Sequence, residues 1–456
     1  MKRTLAGFAA VCDGELHGAD RAFADVSSDT RTLRPGELFV ALRGPRFDAK
    51  QFVANAAVAG AVGAVVEERQ DHPLPQIVVA DTQAALTTAA RAWRRLFSIP
   101  VVGVAGSNGK TTAKEMIAAI LGRGGACLAT RGNLNNHIGV PLTLLRLTAE
   151  HRSAVIEIGA NRAGDVAELV AIARPTIGLI TNAGAEHLEG FGSLENVARA
   201  EGEMVAGLTA DAVAVINADD PFSELWCSMT LAKVVSFGID AYADFAAEDV
   251  RTAIDAQGFR TLFALRSPAG RAPIQLALAG RHNVRNALGA AAAAMAAGAD
   301  LVDVAAGLAS MRAVEGRLQC RQTPSGAMLI DDSYNANPSS VRAAIDVLAD
   351  VDARRWLIVG DMAELGQYTE SSHSEIGQYA RDRGIERLLA IGKHTPLSVA
   401  AFGPGAEWFV DGEALVRSIH ESLAHDVCVL VKGSRVNRLE RVVAALATSN
   451  PVRQTG

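Results

Sequence analysis

Cysteine is scarce in the sequence, and neither sign of charge dominates it. The five cysteines among 456 residues are scattered, and no two of them form a C-x-x-C pair. This pattern argues against a disulfide framework or a zinc site and favours reduced thiols, as in a cytoplasmic protein. The formal net charge is −6 at pH 7, so the composition gives no reason to expect nucleic acid or an acidic membrane surface as a partner.

Long apolar runs are also absent. The most apolar later segment, Ala287 to Ala297, falls well short of the roughly 20 residues that cross a membrane. The N-terminal apolar run is similar to a signal peptide, but Asp13 and Glu15 interrupt it, which favours an ordinary helix. We therefore expect no membrane insertion. A hydrophobic fraction of 49% with 21% charged residues is typical of a folded globular protein.

The stretch from Val101 to Glu115 carries the clearest chemical signal. It starts as a short apolar strand, turns through a loop that contains glycine and continues into an amphipathic helix. In such a turn, unpaired backbone N–H groups and the positive end of the helix dipole converge on one point, which suits the phosphates of ATP or GTP. The residues expected to contact the nucleotide are Gly106, Ser107, Asn108, Gly109, Lys110, Thr111 and Thr112.

Two residues of this loop have expected roles of their own. Lys110 should reach the β- and γ-phosphates, and the hydroxyl of Thr111 should bind magnesium. The spacing departs from G-x-x-x-x-G-K-[ST], since Val104 stands where the first glycine belongs. A glycine-rich turn without a ligand is the alternative. The strand before the loop and the helix after it favour the nucleotide site.

The periodicity of the chain predicts an α/β fold with three domains. At 456 residues, the chain is too long for one ordinary core, and strands alternate with helices from Ile99 onward. The predicted domains are a small α/β domain (1–98), a P-loop-type ATPase domain with a mostly parallel sheet (99–312), and a doubly wound, Rossmann-like domain (313–456). Alternating short strands between Phe237 and Leu278 suggest an antiparallel edge on the central sheet. The predicted strands are Leu38–Leu42, Ala64–Val66, Gln76–Val79, Val101–Ala105, Ala154–Ile158, Ile177–Thr181, Val213–Ile216, Val234–Phe237, Met328–Asp331, Trp356–Val359, Leu388–Ile391 and Val427–Val431.

Two central strands end in side chains that suit a metal ion. Glu157 lies near the end of one strand, and His187 follows the next. Ligands bind beyond the carboxyl ends of parallel strands, and a carboxylate beside phosphates is a natural ligand of magnesium. A charge paired elsewhere is the alternative for Glu157, and a hydrogen-bonded structural histidine is the alternative for His187.

Two further features place polar residues next to helices. Glu201 lies on the helix after the third central strand, where an exposed carboxylate needs no functional explanation. The run Asp331–Pro338 follows an apolar strand, and Asp332 or Asn337 could merely cap the next helix. Its density of hydrogen-bonding side chains at a strand end nevertheless favours contact with a ligand. Together these features suggest a nucleotide clamped between domains.

These residues resemble the ATP-dependent Mur ligases of peptidoglycan synthesis over essentially the whole chain. The phosphate loop of that family has the form G-S-N-G-K-T-T, which accounts for the missing first glycine. The other matching runs are Gly132–Leu142, Glu157–Asn161, His187–Gly192, Gly280–Ala287, Asp331–Pro338 and Gly360–Gly366. The resemblance implies an N-terminal domain that holds a UDP-sugar, a central ATPase domain and a C-terminal domain that closes over the site.

The resemblance also implies a reaction. ATP would phosphorylate the terminal carboxylate of UDP-N-acetylmuramoyl-tripeptide (UDP-MurNAc-tripeptide), and the amine of D-alanyl-D-alanine would attack the acyl phosphate, giving the pentapeptide, ADP and phosphate. The Asp331–Pro338 and Gly360–Gly366 runs distinguish this family member from those that add single amino acids. ATP, Mg²⁺ and these small molecules are the implied cofactors and partners of a cytoplasmic enzyme that we expect to be a monomer.

Other functions are compatible with parts of the pattern. A folylpolyglutamate synthase and the ligase that adds the third peptide residue are the nearest alternatives in the superfamily, and the Asp331–Pro338 run argues against both. A nucleotide-binding switch without catalysis is the alternative from another class. It leaves the clustered polar residues of the third domain unexplained.

The resemblance assigns roles by position in this sequence. The implied catalytic residues are Lys110, Glu157 and His187, and the implied metal ligands are Thr111, Glu157, His187 and Glu201. The further implied ATP contacts are His282, Asn283 and Asn286 around the adenine, Arg317, and Asp332 at the ribose. The implied substrate contacts are Ser28, Asp29 and Arg31 at the uridine end, Asn135 and Asn136 towards the reacting end, and Tyr334, Asn335 and Asn337 at the dipeptide.

Two positions depart from the family pattern. Many relatives carry a carbamylated lysine as an anionic magnesium ligand where this chain has Glu201, so we expect no carbamate. Glutamate offers its carboxylate directly on a shorter arm, with water as a possible bridge to the metal. The run Phe47-Asp-Ala-Lys50 stands where an Asp-Gly-His-like run is expected in the N-terminal domain.

Overall fold

The computed structural model describes residues 3–44, 47–186, 188–255 and 258–448. Within these ranges, the chain forms sheets of five, nine and six strands and one two-stranded ribbon. The predicted α/β fold class is therefore confirmed. We name the parts that carry the three large sheets the first unit (Leu5–Arg94), the central unit (Val101–Ser310) and the third unit (Gln319–Ala447). In the described part of the chain, no helix is both long and apolar enough to cross a membrane.

A small five-stranded sheet forms the first unit. Its elements are α1 (Leu5–Val11), β1 (Glu15–His17), β2 (Val26–Ser27), β3 (Leu38–Val40), β4 (Arg43–Gly44), β5 (Phe47–Asp48), α2 (Val53–Val58), β6 (Gly63–Val66), β7 (Gln76–Val78) and α3 (Thr82–Arg94). The strand order is β1-β7-β6-β3-β2, with β1 antiparallel to its neighbour and the others parallel. Asp81 caps α3, because its side chain accepts a hydrogen bond from the backbone N–H of Ala84.

The central unit is a nine-stranded sheet with helices on both faces. Its elements are β8 (Val101–Ala105), α4 (Lys110–Leu121), β9 (Cys127–Ala129), α5 (Gly139–Leu145), β10 (Ser153–Glu157), α6 (Asp165–Ala173), β11 (Ile177–Ile180), α7 (Leu188–Phe191), α8 (Leu194–Ala206), β12 (Val213–Asn217), α9 (Ser223–Met229), β13 (Lys233–Gly238), β14 (Phe245–Asp255), β15 (Gly258–Ser267), β16 (Gly270–Leu276), α10 (Arg281–Ala296) and α11 (Leu301–Ser310). The strand order is β16-β15-β14-β13-β12-β11-β8-β10-β9. Every residue of β8 is buried, with Val101 and Val102 facing different hydrophobic cores, as expected for a parallel strand covered on both faces.

The third unit is a six-stranded sheet with one antiparallel edge. Its elements are β17 (Gln319–Gln322), β18 (Met328–Asp332), α12 (Pro338–Ala349), β19 (Arg354–Gly360), α13 (Thr369–Asp382), β20 (Arg387–Ile391), α14 (Pro396–Phe402), β21 (Ala406–Phe409), α15 (Gly412–Ile419), β22 (Val427–Lys432) and α16 (Glu440–Ala447). The strand order is β17-β18-β22-β19-β20-β21. Only β17 runs antiparallel to its neighbour among these described strands.

The predicted strands match the observed ones within two residues at either end. The sequence pattern missed β1, β2, β9, β17 and β21, which all lie at sheet edges, and the ribbon strands β4 and β5. Each of these described strands is only two to four residues long. The prediction of short strands between Phe237 and Leu278 is wrong in length. This segment forms the long antiparallel strands β14, β15 and β16.

Candidate active site

The order of the central strands places the phosphate loop between two polar strand ends. β8 lies between β10 and β11, and all three are parallel, so the segments that follow them leave the sheet at one edge. The loop therefore has Glu157 on one side and Asn182 on the other. Asn182 holds the loop directly, since its Oδ1 accepts from the backbone N–H of Asn108 at 3.0 Å and its Nδ2 donates to the carbonyl of Asn108 at 2.8 Å.

Both glycines of the loop have conformations and surroundings that exclude a side chain. Gly106 has a φ of 121° and Gly109 a φ of 84°, in the left-handed region that favours glycine. A Cβ atom on Gly106 would lie 2.1 Å from Oγ1 of Thr181, and one on Gly109 would lie 2.3 Å from Oδ1 of Asn286. The loop is thus packed tightly between the strand ends and α10.

Lys110 lies among carboxylates at the start of α4. Its Nζ donates to the backbone carbonyl of Ser107 at 3.1 Å and forms an ion pair with Glu186 at 3.3 Å. Burial alone lowers the pKa of Lys110, but the carboxylates of Glu186, Glu201 and Glu157 outweigh it, so the net shift of this pKa is upward. The ammonium group therefore remains charged beside the phosphate loop.

Glu157 is buried beside the hydroxyl of Thr111. Its Oε1 accepts from Oγ1 of Thr111 at 3.2 Å and from Nδ2 of Asn135 at 2.9 Å. Its Oε2 is buried without a hydrogen-bond partner among the described residues, and Nζ of Lys114 is 3.9 Å away. Lys114 is itself fully buried and donates to the carbonyl of Thr130 at 2.8 Å. A buried carboxylate oxygen without a donor, next to a hydroxyl, suits a hard cation such as Mg²⁺.

Glu201 lies under the phosphate loop, on α8. It is 4% exposed, so the alternative of an exposed helical carboxylate is wrong. Its Oε2 accepts from the backbone N–H of Gly106 at 2.6 Å. Burial raises the pKa of Glu201 to about 7, against the opposing effect of Lys110. Glu201 therefore supports the loop backbone in this structure.

The position of His187, the remaining predicted metal ligand, is not described, because His187 lies outside the described residues. Within the described part of the chain, no three or more histidine, cysteine, aspartate and glutamate side chains are grouped so as to hold a metal ion. Thr111 and Glu157 are therefore the predicted ligands that this structure brings into contact.

Two cavities meet above the loop, one along α10 and one over the loop itself. The α10 cavity, of about 290 Å³, is lined by Asn108, Gly109, Thr112, Asn182, Ala183, Leu278, His282, Asn283, Arg285, Asn286, Arg312, Val314, Arg317, Leu318, Asp332, Ser339, Ser340, Ala343, Ala344 and Lys432. The phosphate-loop cavity, of about 240 Å³, is lined by Ser107, Asn108, Gly109, Lys110, Thr111, Asn133, Asn135, Glu157, Glu186, Gly316, Arg317, Asp332, Tyr334, Asn335, Ala336, Asn337, Ser340 and Lys432. The two share residues from the loop and from the third unit, so they adjoin each other, and we call the pair the cleft.

Helix α10 contributes neutral hydrogen-bonding side chains to the α10 cavity, next to the charged Arg285 and Arg312. Burial, followed by the nearby charges of Lys432 and Arg285, lowers the pKa of His282 to about 4, so its imidazole is neutral at pH 7. Asn283 donates through Nδ2 to a backbone carbonyl one turn earlier at 2.7 Å, and Asn286 donates through Nδ2 to Oδ1 of Asn283 at 3.3 Å. Oriented neutral amides and an imidazole suit a heterocyclic base.

An ion pair from the third unit lies where the cavities join. Asp332 and Lys432 are register partners on β18 and β22, and Nζ of Lys432 lies 2.7 Å from Oδ2 of Asp332. Oδ1 of Asp332 accepts from the backbone N–H of Leu318 at 3.2 Å. Burial raises the pKa of Asp332, and Lys432 partly offsets that shift. Asp332 is therefore held in place by partners on two sides.

Arg317 connects the segment before the third unit to the phosphate loop. Its Nη2 donates to Oγ1 of Thr111 at 3.2 Å, and its guanidinium lies 4.5 Å from the ring centroid of Tyr334. Arg435 covers the same ring at 5.2 Å. The two cations hold the aromatic ring in place at the phosphate-loop cavity.

The remaining predicted contacts separate into two groups. Asn335 lines the phosphate-loop cavity, whereas Oδ1 of Asn136 accepts from the backbone N–H of Gly139, the first residue of α5, at 2.9 Å. Ser28, Asp29 and Arg31 follow β2 in the first unit and line neither cavity. There, Arg31 pairs with Asp29 at 2.6 Å.

Sequence reasoning missed several residues of the cleft, of which Lys432 and Glu186 are the most important. Lys432 ends an apolar strand, and a charged residue at a strand end is a signal that could have found it. Glu186 directly precedes the run His187–Gly192, in which His187 is a predicted metal ligand. The α10 cavity is also lined by four residues that no sequence motif assigns to a site: Asn182, Arg312, Ser339 and Ser340.

Comparisons with known proteins agree with this geometry. A family model described as the Mur ligase middle domain matches residues 104–294, and one described as the Mur ligase, glutamate ligase domain matches residues 316–435. The chain is 45% identical to UDP-N-acetylmuramoyl-tripeptide–D-alanyl-D-alanine ligase of Escherichia coli (strain K12), over 97% of this chain and 98% of that protein.

Solved structures give the same result. The fold is similar to a crystal structure of MurF from Acinetobacter baumannii, with a TM-score of 0.89, 32% identity and coverage of 97% of this chain and 98% of that chain. It is also similar to MurF ligase from Thermotoga maritima in complex with ADP, with a TM-score of 0.80, 26% identity and coverage of 93% and 97%.

Proposed function

Because the chain belongs to the Mur ligase family, we propose that it joins D-alanyl-D-alanine to UDP-MurNAc-tripeptide in an ATP-dependent reaction. It is an enzyme that forms a C–N bond and makes the UDP-MurNAc-pentapeptide of peptidoglycan synthesis. Identity of 45% over 97% of the chain supports this assignment. The observation that carries it is the pair of adjoining cavities: neutral side chains of α10 line one, and the phosphate loop with buried carboxylates lines the other.

The proposed reaction needs both cavities. A carboxylate is a poor electrophile, so ATP first transfers its γ-phosphoryl group to the terminal carboxylate of the tripeptide. The amine of D-alanyl-D-alanine then attacks the carbonyl carbon, the tetrahedral intermediate loses phosphate, and the amine loses its proton. Two anions must approach each other in the first step, so positive charge and positioning supply most of the catalysis.

Residues of the cleft have proposed roles that follow from their positions. Lys110 offsets the charge of the β- and γ-phosphates beside the loop Gly106–Gly109, and the first N–H groups of α4 point towards these phosphates. His282, Asn283 and Asn286 surround the adenine, and Asp332 binds the ribose. These roles are supported by the lining of the α10 cavity.

Magnesium is part of the proposal. The hydroxyl of Thr111 and the unpartnered Oε2 of Glu157 fit a Mg²⁺ ion. Mg²⁺ would supply charge neutralisation for the transferring phosphoryl group. Glu201 and His187 remain predicted ligands, and Glu201 would have to release the N–H of Gly106 or bind through water.

The remaining assignments belong to the same proposal. Ser28, Asp29 and Arg31 would bind the uridine end, and Asn135, Asn136, Tyr334 and Asn335 would bind the substrates nearer the chemistry. We propose domain boundaries at residues 98 and 312, a cytoplasmic location and a monomeric state.

Phosphate release with different acceptors tests the function. The purified protein is incubated with ATP, Mg²⁺ and UDP-MurNAc-tripeptide, together with D-alanyl-D-alanine or single amino acids. We expect release only with the dipeptide. Release with a single amino acid alone would point to another ligase of the superfamily, and ATP binding without acceptor-dependent release would point to a nucleotide-binding switch.

A further inference from the structure

A closed ring of hydrogen bonds joins the phosphate loop to the start of α12 across the cleft. Nδ2 of Asn337 donates to Oδ1 of Asn108 at 2.8 Å, and Nδ2 of Asn108 donates to Oγ of Ser339 at 3.0 Å. Oγ of Ser339 completes the ring by donating to Oδ1 of Asn337 at 3.0 Å. Each of the three side chains therefore donates once and accepts once within the ring.

The direction of these bonds is fixed by a backbone group outside the ring. The N–H of Ser340 can only donate, and it meets Oδ1 of Asn337 at 2.8 Å. The other end of the Asn337 amide must therefore be Nδ2, which requires Oδ1 of Asn108 as its acceptor. Nδ2 of Asn108 must then face Ser339, so one backbone donor determines the whole arrangement.

Both ends of the ring are anchored. On the central side, Asn182 binds the backbone of Asn108 through its N–H and carbonyl. On the third-unit side, Asn337 and Ser340 form a capping box at the N-terminus of α12. A Cβ atom on Gly184 would lie 2.8 Å from Nδ2 of Asn108 and 3.0 Å from Oγ of Ser339. Only a residue without a side chain leaves room for the ring there.

We propose that Asn108, Ser339 and Asn337 form a latch that holds the third unit closed on the phosphate loop. In this latch, Asn337 is a positioning residue and not a ligand of the dipeptide, because Oδ1 already accepts two hydrogen bonds and Nδ2 is directed at Asn108. The inference deepens the proposed function and rests on it.

The latch has a defined consequence for the reaction. The hydrogen bond from Arg317 to Thr111 reaches the nucleotide site from the same side. With the latch formed, Tyr334 and Asn335 line the phosphate-loop cavity. Without it, the third unit is held less firmly, and groups that must be placed to within a fraction of an ångström lose their alignment.

Two substitutions disrupt the latch without removing the cap of α12, and a third serves as the control. Asn337→Ser keeps a side-chain oxygen for the N–H of Ser340, and serine is about as good a cap as asparagine, but its side chain is too short to reach Asn108. Ser339→Ala removes the ring hydroxyl without adding charge. The matched control is Ser371→Ala, since the exposed Ser371 bonds only within its own turn, to the carbonyl of Tyr368.

Turnover gives the first readout. We expect Asn337→Ser and Ser339→Ala each to lower kcat by roughly tenfold, with Ser371→Ala unchanged. In Asn108→Ala combined with Asn337→Ser, kcat should fall no further than in Asn108→Ala, because both changes break one ring. A dipeptide ligand predicts instead a raised KM for D-alanyl-D-alanine and losses that multiply. Multiplying losses, or a Ser339→Ala variant equal to its control, would overturn the latch.

A second readout does not depend on turnover. Small-angle scattering of the ADP-bound protein should give a larger radius of gyration for Ser339→Ala than for the parent or Ser371→Ala. Equal radii would contradict the latch. A parent protein without dipeptide-dependent phosphate release would contradict the proposed function instead, so the two failures are distinguishable.

Discussion

Both cavities are lined by Arg317, Asp332 and Lys432, and they differ in the other side chains that face them. In the phosphate-loop cavity, Lys110 and Glu186 pair with each other, and Glu157 has an oxygen without a hydrogen-bond partner among the described residues. In the α10 cavity, His282 is neutral at pH 7 and the asparagines are oriented by each other. Charged side chains with free hydrogen-bonding capacity can bind phosphate and a cation, whereas oriented neutral side chains suit a heterocyclic base. The comparison therefore assigns phosphoryl transfer to the phosphate-loop cavity and recognition of the base to the α10 cavity.

The largest expected effect comes from removing the positive charge of Lys110 from the phosphate-loop cavity. Lys110→Met should lower kcat by about a thousandfold, because removal of one preorganised charge at a developing anion costs about 10²–10³ in rate. Binding of ADP should weaken far less, since the α10 cavity is intact. Steady-state phosphate release and calorimetric ADP binding measure the two effects. The matched control is Lys233→Met, at an exposed lysine on β13. Equal losses in turnover and ADP binding would remove the distinction between the cavities.

The ion pair at the junction of the cavities should contribute mainly to stability. Lys432→Met leaves the buried Asp332 without its partner, and breaking such a pair costs about 3 kcal/mol. The raised pKa of Asp332 limits this loss, since the carboxyl group can take up a proton. Urea unfolding measures the change. Adding Asp332→Asn should recover part of the stability, and no recovery would show that the pair is not coupled.

The neutral state of His282 gives a pH dependence. Its pKa in the folded protein is about 4, below the ordinary value of about 6.5, so the unfolded chain binds the proton first. Stability is therefore complete above pH 6.5 and is lost as the pH falls towards 4, by about 2 kcal/mol at pH 5. His282→Gln should remove this contribution to the pH dependence of the unfolding free energy. The control is His425→Gln, at an exposed site. An unchanged slope would show that His282 is protonated in the fold.

The smallest expected effect lies outside both cavities. Arg31 has an 86% exposed side chain, so Arg31→Ala should leave the unfolding free energy unchanged. If it binds the uridine end, the KM for UDP-MurNAc-tripeptide should rise several-fold while the KM for ATP stays constant. An increase in the KM for ATP would contradict a role limited to the first unit.

The phosphate-loop cavity was largely predictable from sequence, because many of its residues follow apolar strands in recognisable runs. Glu157 and Lys110 each stand at a strand end or in the phosphate loop, and parallel strands bring such ends together. The fold class follows from the same alternation of strands and helices. The edge strand β9 was not predicted, since it is three residues long and only Leu128 of the three is buried.

Contacts across the units could not be derived from local patterns. Asn337 was predicted either as a cap or as a ligand, and the structure shows that it caps α12 while reaching Asn108. Lys432 meets Asp332 only because β18 and β22 are neighbours in the sheet, although 100 positions separate the two residues. Strand order and packing between units decide such contacts, and neither is written in a short motif.

One measurement tests the central claim that the cleft passes a phosphoryl group from ATP to a carboxylate. UDP-MurNAc-tripeptide labelled with oxygen-18 in its terminal carboxylate is turned over with ATP and D-alanyl-D-alanine, and the released phosphate is analysed by mass spectrometry. If an acyl phosphate forms, one labelled oxygen from the carboxylate leaves in the phosphate. Unlabelled phosphate accompanying pentapeptide would contradict the account.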